Sequence, residues 1–559
     1  MTVEPRAFVL AGARSEDAIR DALGQAYTVS EEHAAAGSGA RRRTWLDTFD
    51  WRLFGAGLVL EHEQTRRGGR LVLASADGSP LAEQPVTGWR SGPVAQLPGG
   101  PVADRIAALI APRALLAAAS VASTRSVFRL LNADGKTVAR IVADRSSAGA
   151  TELDIRLQVS EVRGYSAQAR RAAGLLAAVA SPAMGHVFAA AAASGRSPGG
   201  YSGKVDARIT ADMPAQAAVV LLLRNLLDTL EQNVDGVLRD IDTEFLHDLR
   251  VAVRRTRSAL KLLGDVLPAD LTMHYQSEFK WLGDLTTPVR DLDVYLLGWG
   301  DLTAGLLAAT ADDLEPFREF LVRQRAREFR LLTAGLGSVR FRALTHDWGK
   351  ALAELSEPVP RRGRKTKAAG ARNPAAAGPA SVAARVPARA LLPAGALATE
   401  RTARAVRQLT RRGAAITAQS PAVSLHDLRK RGKELRYLLE FFAPIYDQTA
   451  YRTVLSDMKK LQDCLGEFQD SQVQREEITT LARQLLADSA GPAGRGDAGR
   501  AGGGDQAALA ATLLAMGEIN ARLAVLQQQA RADFDDRFAR FAGPVTQRHI
   551  QALLNRGEQ

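Results

Sequence analysis

The chain is poor in cysteine: Cys464 is the only one in 559 residues. A single thiol excludes an intrachain disulfide and suits a reducing cytoplasm. No GxxxxGK phosphate loop, nucleophile elbow or zinc motif occurs in the sequence. Those absences remove the commonest routes to phosphoryl transfer, acyl transfer and metal hydrolysis. The opening residues, MTVEPRAFVLAG, carry charge and too short an apolar run for a secretory signal. The Ala-rich stretch Leu175–Ala193 is broken by Pro182 and His186 and makes a poor membrane span. A soluble, cytoplasmic protein is expected, with no membrane partner. Acid is in the minority as well: Lys and Arg number 73 against 61 Asp and Glu, a net charge of +12. Much of that excess lies between Pro358 and Thr399, which holds eight basic residues and no acidic one. Global charge alone therefore does not define a binding face.

What is present is a basic helical stripe, twice. One copy reads LHDLRVAVRRTRSALKLL from Leu246 to Leu263, the other LHDLRKRGKELRYLLEFF from Leu425 to Phe442. Aligning His247 with His426 gives an offset of 426 − 247 = 179, which also pairs Lys280 with Lys459, Leu282 with Leu461 and Asp291 with Asp470. An ungapped match of this length is an internal duplication. At about 100° per residue, His247, Arg250, Arg254, Arg257 and Lys261 share one helix face. Leu249, Ala252, Val253, Leu260 and Leu263 share the opposite one. In the second copy His426, Arg429, Lys433 and Arg436 form the polar face, and Leu428, Leu435, Leu438, Leu439 and Phe442 the apolar face. A solvated helix face normally mixes signs to gain i,i+4 pairs. Here no carboxylate enters the arc until Glu440, and a row of like charges calls for a polyanion to neutralise it. A merely solvated basic face is the plain alternative, and recurrence in one register argues against it.

The first two hundred residues read as an α+β domain. Strands are expected at Ala7–Leu10, Gly57–Leu60, Arg70–Ala74 and Thr137–Val142, with hairpin turns at Asp77-Gly78 and Asp134-Gly135. Helices are expected at Ser15–Leu23 and Val102–Ala119. The predicted divisions are residues 1–193, a linker at 194–212, and an all-α domain at 213–553. Within the last, repeat one spans 213–357 and repeat two 394–553, with low-complexity insertions at 358–393 and 490–506. Helices are expected at Ala215–Asp240, Leu271–Leu285, Leu314–Leu332 and Arg340–Leu355.

The repeats resemble the CHAD family, the conserved-histidine α-helical domain. His247-Asp-Leu-Arg250 through Arg254-Arg255-Thr-Arg257 is similar to its first histidine helix, and Arg290-Asp291-Leu-Asp293-Val294 to its RDxDV element. His426 through Leu435-Arg436-Tyr437, then Lys460-Leu461-Gln462 and Leu465-Gly466…Asp470, is similar to its C-terminal motif. Thr286-Thr287 departs from the Leu-Gly expected in the first repeat and is read as a helix-end variation. The resemblance implies two pseudo-symmetric helical bundles facing each other across a cationic channel. It also implies binding of inorganic polyphosphate and association with polyphosphate granules, their proteins or polyphosphate-metabolising enzymes. The residues expected to meet the polyanion are His247, Arg250, Arg254, Arg255, Arg257, Lys261, Lys280, Arg290, His426, Arg429, Lys430, Lys433, Arg436, Lys459 and Lys460. Asp291 and Asp470 would orient the arginines.

The N-terminal domain more faintly resembles CYTH, an antiparallel β tunnel for triphosphates. The likeness rests on Thr44-Trp-Leu-Asp47-Thr48-Phe-Asp50-Trp-Arg52-Leu53 and Gly57-Leu58-Val-Leu60. The family's ExExK strand is reduced here to Glu4-Pro5-Arg6-Ala7-Phe8, and Glu61 and Glu63 stand where a basic pair is expected. Glu152 and Asp154 are similar to a late acidic strand. The resemblance thus implies a degenerate tunnel domain, with no catalytic residue, no cofactor, and a divalent cation only if activity survives.

Arginine forks bind phosphate bidentately and lysine supplies a point charge, so a mixed stripe at one-turn spacing suits polyphosphate. A metal role for the histidines is disfavoured, because no HxxxH pair or nearby Cys occurs and Asp248 and Asp427 lie off the histidine face. Nucleic acid is the rival ligand and is expected to compete weakly, since Tyr437 alone offers a stacking ring within the stripe. Triphosphatase activity of the N-terminal domain is the other alternative.

Overall fold

The computed structural model describes residues 7–10, 17–32, 40–65, 68–76, 79–87, 92–182, 186–356, 387–489 and 502–555. The chain divides into two compact units, 1–203 and 204–559.

The first unit runs β1 (Ala7–Leu10), α1 (Asp17–Gly24), β2 (Thr28–Glu32), β3 (Ala40–Asp47), α2 (Arg52–Gly55), β4 (Leu58–Thr65), β5 (Gly68–Ser75), β6 (Pro80–Val86), β7 (Gly92–Pro93) and α3 (Pro101–Ile110). It continues with β8 (Ala114–Leu131), β9 (Thr137–Ala148), β10 (Thr151–Glu152), β11 (Ile155–Glu161), α4 (Ser166–Leu176), β12 (Ser181–Pro182) and α5 (His186–Ala193). The sheet is antiparallel, in the order β12-β1-β11-β9-β8-β3-β4-β5-β6, with β2 and β7 added on β8 and β10 on β9. Strand alternation puts the apolar side chains of two separate cores on one face of the sheet. Leu46, Leu60, Leu71 and Leu73 join Ile106 and Ile110 of α3 in one core, while Phe8, Phe128, Ile141 and Leu157 pack with Ile19 and Leu176 of α1 and α4 in another. The turn at Asn132–Lys136 carries the expected Asp134-Gly135 pair, with Gly135 at φ +72°, a left-handed geometry that favours glycine. The Asp77-Gly78 turn and Glu4–Arg6 of the degenerate ExExK stretch lie outside the described residues.

Two N-terminal expectations need correcting. The helix predicted over Val102–Ala119 stops at Ile110, and Ala114–Ala119 begin the long strand β8. Pro112 cannot continue a helix, and Ala114, Leu115, Ala118 and Ala119 after it are buried within the sheet, where neighbouring strands override helix propensity. Glu152 and Asp154 do not share a strand: Glu152 is in β10, Asp154 lies between strands, and both are exposed.

The second unit is helical: α6 (Ala215–Leu238), α7 (Thr243–Leu263), α8 (Ala269–Leu297), α9 (Trp299–Thr303), α10 (Glu315–Leu336), α11 (Val339–Ser356), α12 (Ala394–Ala414), α13 (Ala422–Phe441), α14 (Gln448–Ser489), α15 (Gly502–Ala542) and α16 (Pro544–Asn555). The duplication appears in the element starts. α6, α7 and α8 begin at 215, 243 and 269, and α12, α13 and α14 at 394, 422 and 448, each 179 later. The two repeats meet at equivalent residues, Pro214 against Pro393. The Ala215 N–H donates to Leu392 O at 2.7 Å and the Ala394 N–H to Met213 O at 2.7 Å. Exchanging the repeats turns one bond into the other, which is the signature of a local two-fold axis.

That contact lies inside the expected insertion. Residues 387–393 are ordered, with Ala390 fully buried, so the segment that can be an insertion shortens to 357–386, outside the described residues. Of the second insertion, residues 490–501 lie outside the description, and 502–506 already belong to α15. The expected linker 194–212 is packed at both ends: Tyr201 lies 4.4 Å from Phe49 in the first unit, and Ala207 and Ile209 are buried in the second. Thr286-Thr287 are not at a helix end. α8 runs through them and through Pro288, with Thr287 Oγ1 donating to Gly283 O at 2.7 Å. Among the described helices α15 is long and apolar enough to cross a membrane, yet its Met516 and Ile519 pack on Phe317 and Ile478.

Candidate anion-binding site

The stripe helices form where local chemistry and burial agree. Asp242 caps α7 by accepting from the backbone N–H groups of Glu244 and Phe245. Leu249, Ala252, Val253, Leu260 and Leu263 are then buried, as are Leu428, Leu435, Leu438, Leu439 and Phe442. The cations are left on the opposite face of each helix.

Equivalent residues meet across the local axis here too. Arg255 Nη2 donates to Glu440 Oε2 at 3.0 Å, and Lys261 Nζ to Glu434 Oε1 at 2.7 Å. Under the 179 offset Arg255 corresponds to Glu434 and Lys261 to Glu440, so each pair is the other's image. Both α13 glutamates are only 13–14% exposed. These pairs tie α7 to α13 and commit Arg255 and Lys261 to a protein partner. Lys261 of the stripe, and Arg255 beside it, therefore each face a carboxylate. Glu434 and Glu440 reach α7 from the other repeat.

Between the ties the cations crowd. Lys433 is pushed down to about 8, by burial first and then by Arg429, Arg254 and Arg436. Arg254 is the equivalent of Lys433, so two matching cations sit beside the axis within reach of each other's field. His247 is held below the usual imidazole range by burial and by Arg290 and Arg254, which outweigh Glu244 and Asp248. Asp291 is pushed up to about 6 by burial, with Glu477 adding to it and Arg250 and Arg290 opposing. An anion entering this face would relieve each cationic repulsion at once.

The remaining expected residues divide. Arg429 donates to Asp470 Oδ1 at 2.8 Å, the orienting contact expected of that acid. Arg436 donates to Glu440 at 2.6 Å, and Arg290 lies 3.8 Å from Glu244. Lys280, Lys430 and Lys460 pair with Asp284, Asp427 and Asp457 on their own helices, in exposed or half-exposed contacts of little worth. No ion pair is described for Arg254, Arg257, Lys433 or Lys459. His426 Nδ1 lies 2.8 Å from Oε1 of the buried Gln469 and donates to it, leaving Nε2 for the stripe. Gln469 had no motif to announce it. Gln462 belongs to the C-terminal motif; its buried Nε2 has no partner and its Oε1 accepts from Arg436 at 3.3 Å. Tyr437 is buried and stacks on Phe441, so it offers no face to a base. Asp293 of the RDxDV element is structural, accepting from Arg325 at 2.6 Å.

In the first unit, one sheet face carries Arg41, Arg43, Glu61, Glu63, Arg125, Asp144 and Arg156. Arg43 bridges Glu61 and Asp144, the latter at 2.7 Å, and Arg70 binds Glu63 at 2.7 Å. Glu61 and Glu63 thus do not stand as bare negative charge. The acids are engaged by guanidiniums, which would repel a divalent cation, and among the described residues no cluster of three metal-ligating side chains occurs. The group does not fit. Asp47, the acid of the Asp47-Thr48 pair, is buried and accepts from the N–H groups of Thr48, Leu53 and Phe54, which shapes the turn before α2.

A duplicated helical domain, with two basic helices tied across a local two-fold, defines the class. The chain carries a CHAD domain: residues 221–479 match that family. No curated protein matches the chain. Among solved structures it is similar to the CHAD domain from the plant Ricinus communis, with 23% identity and a TM-score of 0.43, covering 63% of this chain and 96% of that one. A protein described as an adenylate cyclase, from Bacillus halodurans, is similar over 33% of this chain and 95% of its own, with 16% identity and a TM-score of 0.24. An adenylyl cyclase homologue from Hippeastrum, whose dominant activity is described as triphosphatase, is similar over 35% of this chain and 98% of its own, with 14% identity and a TM-score of 0.24.

Proposed function

We propose that the helical unit binds inorganic polyphosphate along the face shared by α7 and α13. The observation that carries this reading is the Arg254–Lys433 couplet, equivalent cations held half-buried or exposed beside a local axis with no described ion pair. Such an arrangement costs stability in the free protein and is compensated by a polyanion. Polyphosphate offers oxygens and charge without direction or sequence, so it can lie across a two-fold axis and meet both repeats alike. Nucleic acid fits less well, because Tyr437 is buried. The protein would thereby attach to polyphosphate granules in the cytoplasm, with granule proteins or polyphosphate-metabolising enzymes as partners.

The first unit is assigned scaffold or partner binding, without catalysis. Triphosphate binding there is a second reading, favoured by Arg156, which is half-buried opposite Asp144 and held down by burial and Arg43. Titrating long-chain polyphosphate, single-stranded DNA and tripolyphosphate at one salt concentration tests the main reading. Polyphosphate binding no tighter than DNA binding would reject it. Release of phosphate from tripolyphosphate with Mg²⁺ or Mn²⁺ would establish an activity in place of the scaffold role.

A further inference from the structure

Outside the stripe, α12 and α16 leave between them an open groove of about 710 Å³. That volume falls in the range of small-molecule sites, about 300–1,000 Å³. Arg404, Arg407 and Arg411 line it, one helical turn apart on α12, all exposed. No carboxylate lines the groove among the described residues, and no ion pair is described for the three arginines. The row spans roughly 10 Å at 1.5 Å per residue, about the reach of a short phosphate chain.

The rest of the lining is not what an inorganic anion needs. Val406, Ile550 and Leu554 give an apolar floor, and Gln547 and Gln551 of α16 supply amides that donate and accept. Thr410, also on the wall, has a buried hydroxyl with no hydrogen-bond partner. This combination suits a molecule with a phosphate chain at one end and a flat, hydrogen-bonding body at the other.

The site belongs to one repeat only. Subtracting 179 from Arg404, Arg407 and Arg411 gives Asn225, Asp228 and Gln232 on α6, with no cation among them. In the first repeat α11 supplies the fully buried Trp348, packed on Tyr275 and Phe279, whereas α16 carries no Trp, Tyr or Phe. The duplication therefore kept the helix and changed its outer face, which the bundle core does not require.

We propose that the α12–α16 groove binds a nucleoside di- or triphosphate, with its phosphates on the arginine row and its base against Val406, Ile550 and Leu554. This site is independent of the polyphosphate reading, and its test uses a different probe. Calorimetric titration of the full-length protein with ATP, tripolyphosphate and adenosine is the experiment, on wild type and on the triple variant Arg404→Gln, Arg407→Gln, Arg411→Gln. ATP is expected to bind at least tenfold tighter than tripolyphosphate or adenosine at this site, and the triple variant to lose at least tenfold in ATP affinity. Polyphosphate binding, competed at the stripe, stays within twofold. Gln551→Trp, which fills the groove without touching charge, is expected to abolish the same ATP event. ATP affinity unchanged in both variants would overturn the proposal, placing any nucleotide elsewhere. Equal binding of ATP and tripolyphosphate would overturn it too, reducing the groove to an anion patch.

Discussion

Lys433 makes the polyphosphate reading quantitative. In the free protein its ammonium is pushed down to about 8, by burial first and by Arg429, Arg254 and Arg436 after it. A bound polyanion favours the charged form and raises that value. The sign follows directly: binding takes up a proton wherever the free lysine has lost one, so affinity is full below pH 8 and falls as pH rises through 8. With a free value of 8 the loss between pH 7 and pH 9 is about tenfold, one proton's worth of linkage. Neighbouring groups leave this window clear. In the free protein Asp291, at about 6, and His247, held below the usual imidazole range, titrate below it, and Cys464, pushed up to about 11, above it. Anisotropy titrations of end-labelled long-chain polyphosphate at pH 7, 8 and 9 and constant ionic strength measure it. Lys433→Gln should remove the pH dependence, and Arg254→Gln should shrink it by relieving the repulsion. A tenfold loss that persists in Lys433→Gln, or a flat wild-type profile, refutes contact between Lys433 and the anion.

Three further outcomes are expected. At pH 7 and low salt, Arg254→Gln and Lys433→Gln should each weaken polyphosphate binding by about 1.5–3 kcal/mol, equally within error because the residues are equivalent; unequal losses, read from the same titrations, would place the ligand off the axis. Arg255→Gln should instead destabilise the helical unit, by about 1–2 kcal/mol, since it removes one tie between α7 and α13 while Arg436 still pairs with Glu440, and chemical denaturation of the full chain measures it. Deleting residues 358–386 should leave polyphosphate affinity within about threefold despite removing seven positive charges, because the stripe charges are already positioned on α7 and α13 and lose little freedom on binding; a deletion extended through 393 should lower the melting temperature, as it removes the Ala215–Leu392 hydrogen bond.

Much of this arrangement was legible in the sequence, because periodicity and offset are local properties. The apolar residues expected at the cores of α7 and α13 are all buried, and the 179-residue offset reappears at three helix starts. Three things were not legible, for one reason: they depend on what another segment brings. Ala114–Ala119 has the composition of a helix, and only its neighbours β3 and β7 make it a strand. Gln469 is a polar residue without a motif, and Gln462 sits in one that says nothing of its contacts; α14 places both beside the stripe. The pairing of Arg255 and Lys261 with Glu440 and Glu434 needs the axis itself.

Yet the axis was within reach of the offset. Two copies related by a two-fold must bring residue i against the image of residue j and residue j against the image of i. Substituting the offset turns any assumed contact into its partner contact, so a single pair such as Arg255–Glu440 requires Lys261–Glu434. Opposite charges at both pairs, on helices otherwise basic, are the mark of such a crossing. The same rule sorts the cations along the stripe. Arg255 and Lys261, whose images are glutamates, tie the two repeats together; of the cations whose images are also cations, Arg429 and Arg436 find Asp470 and Glu440 within their own repeat, and no ion pair is described for Arg254 and Lys433.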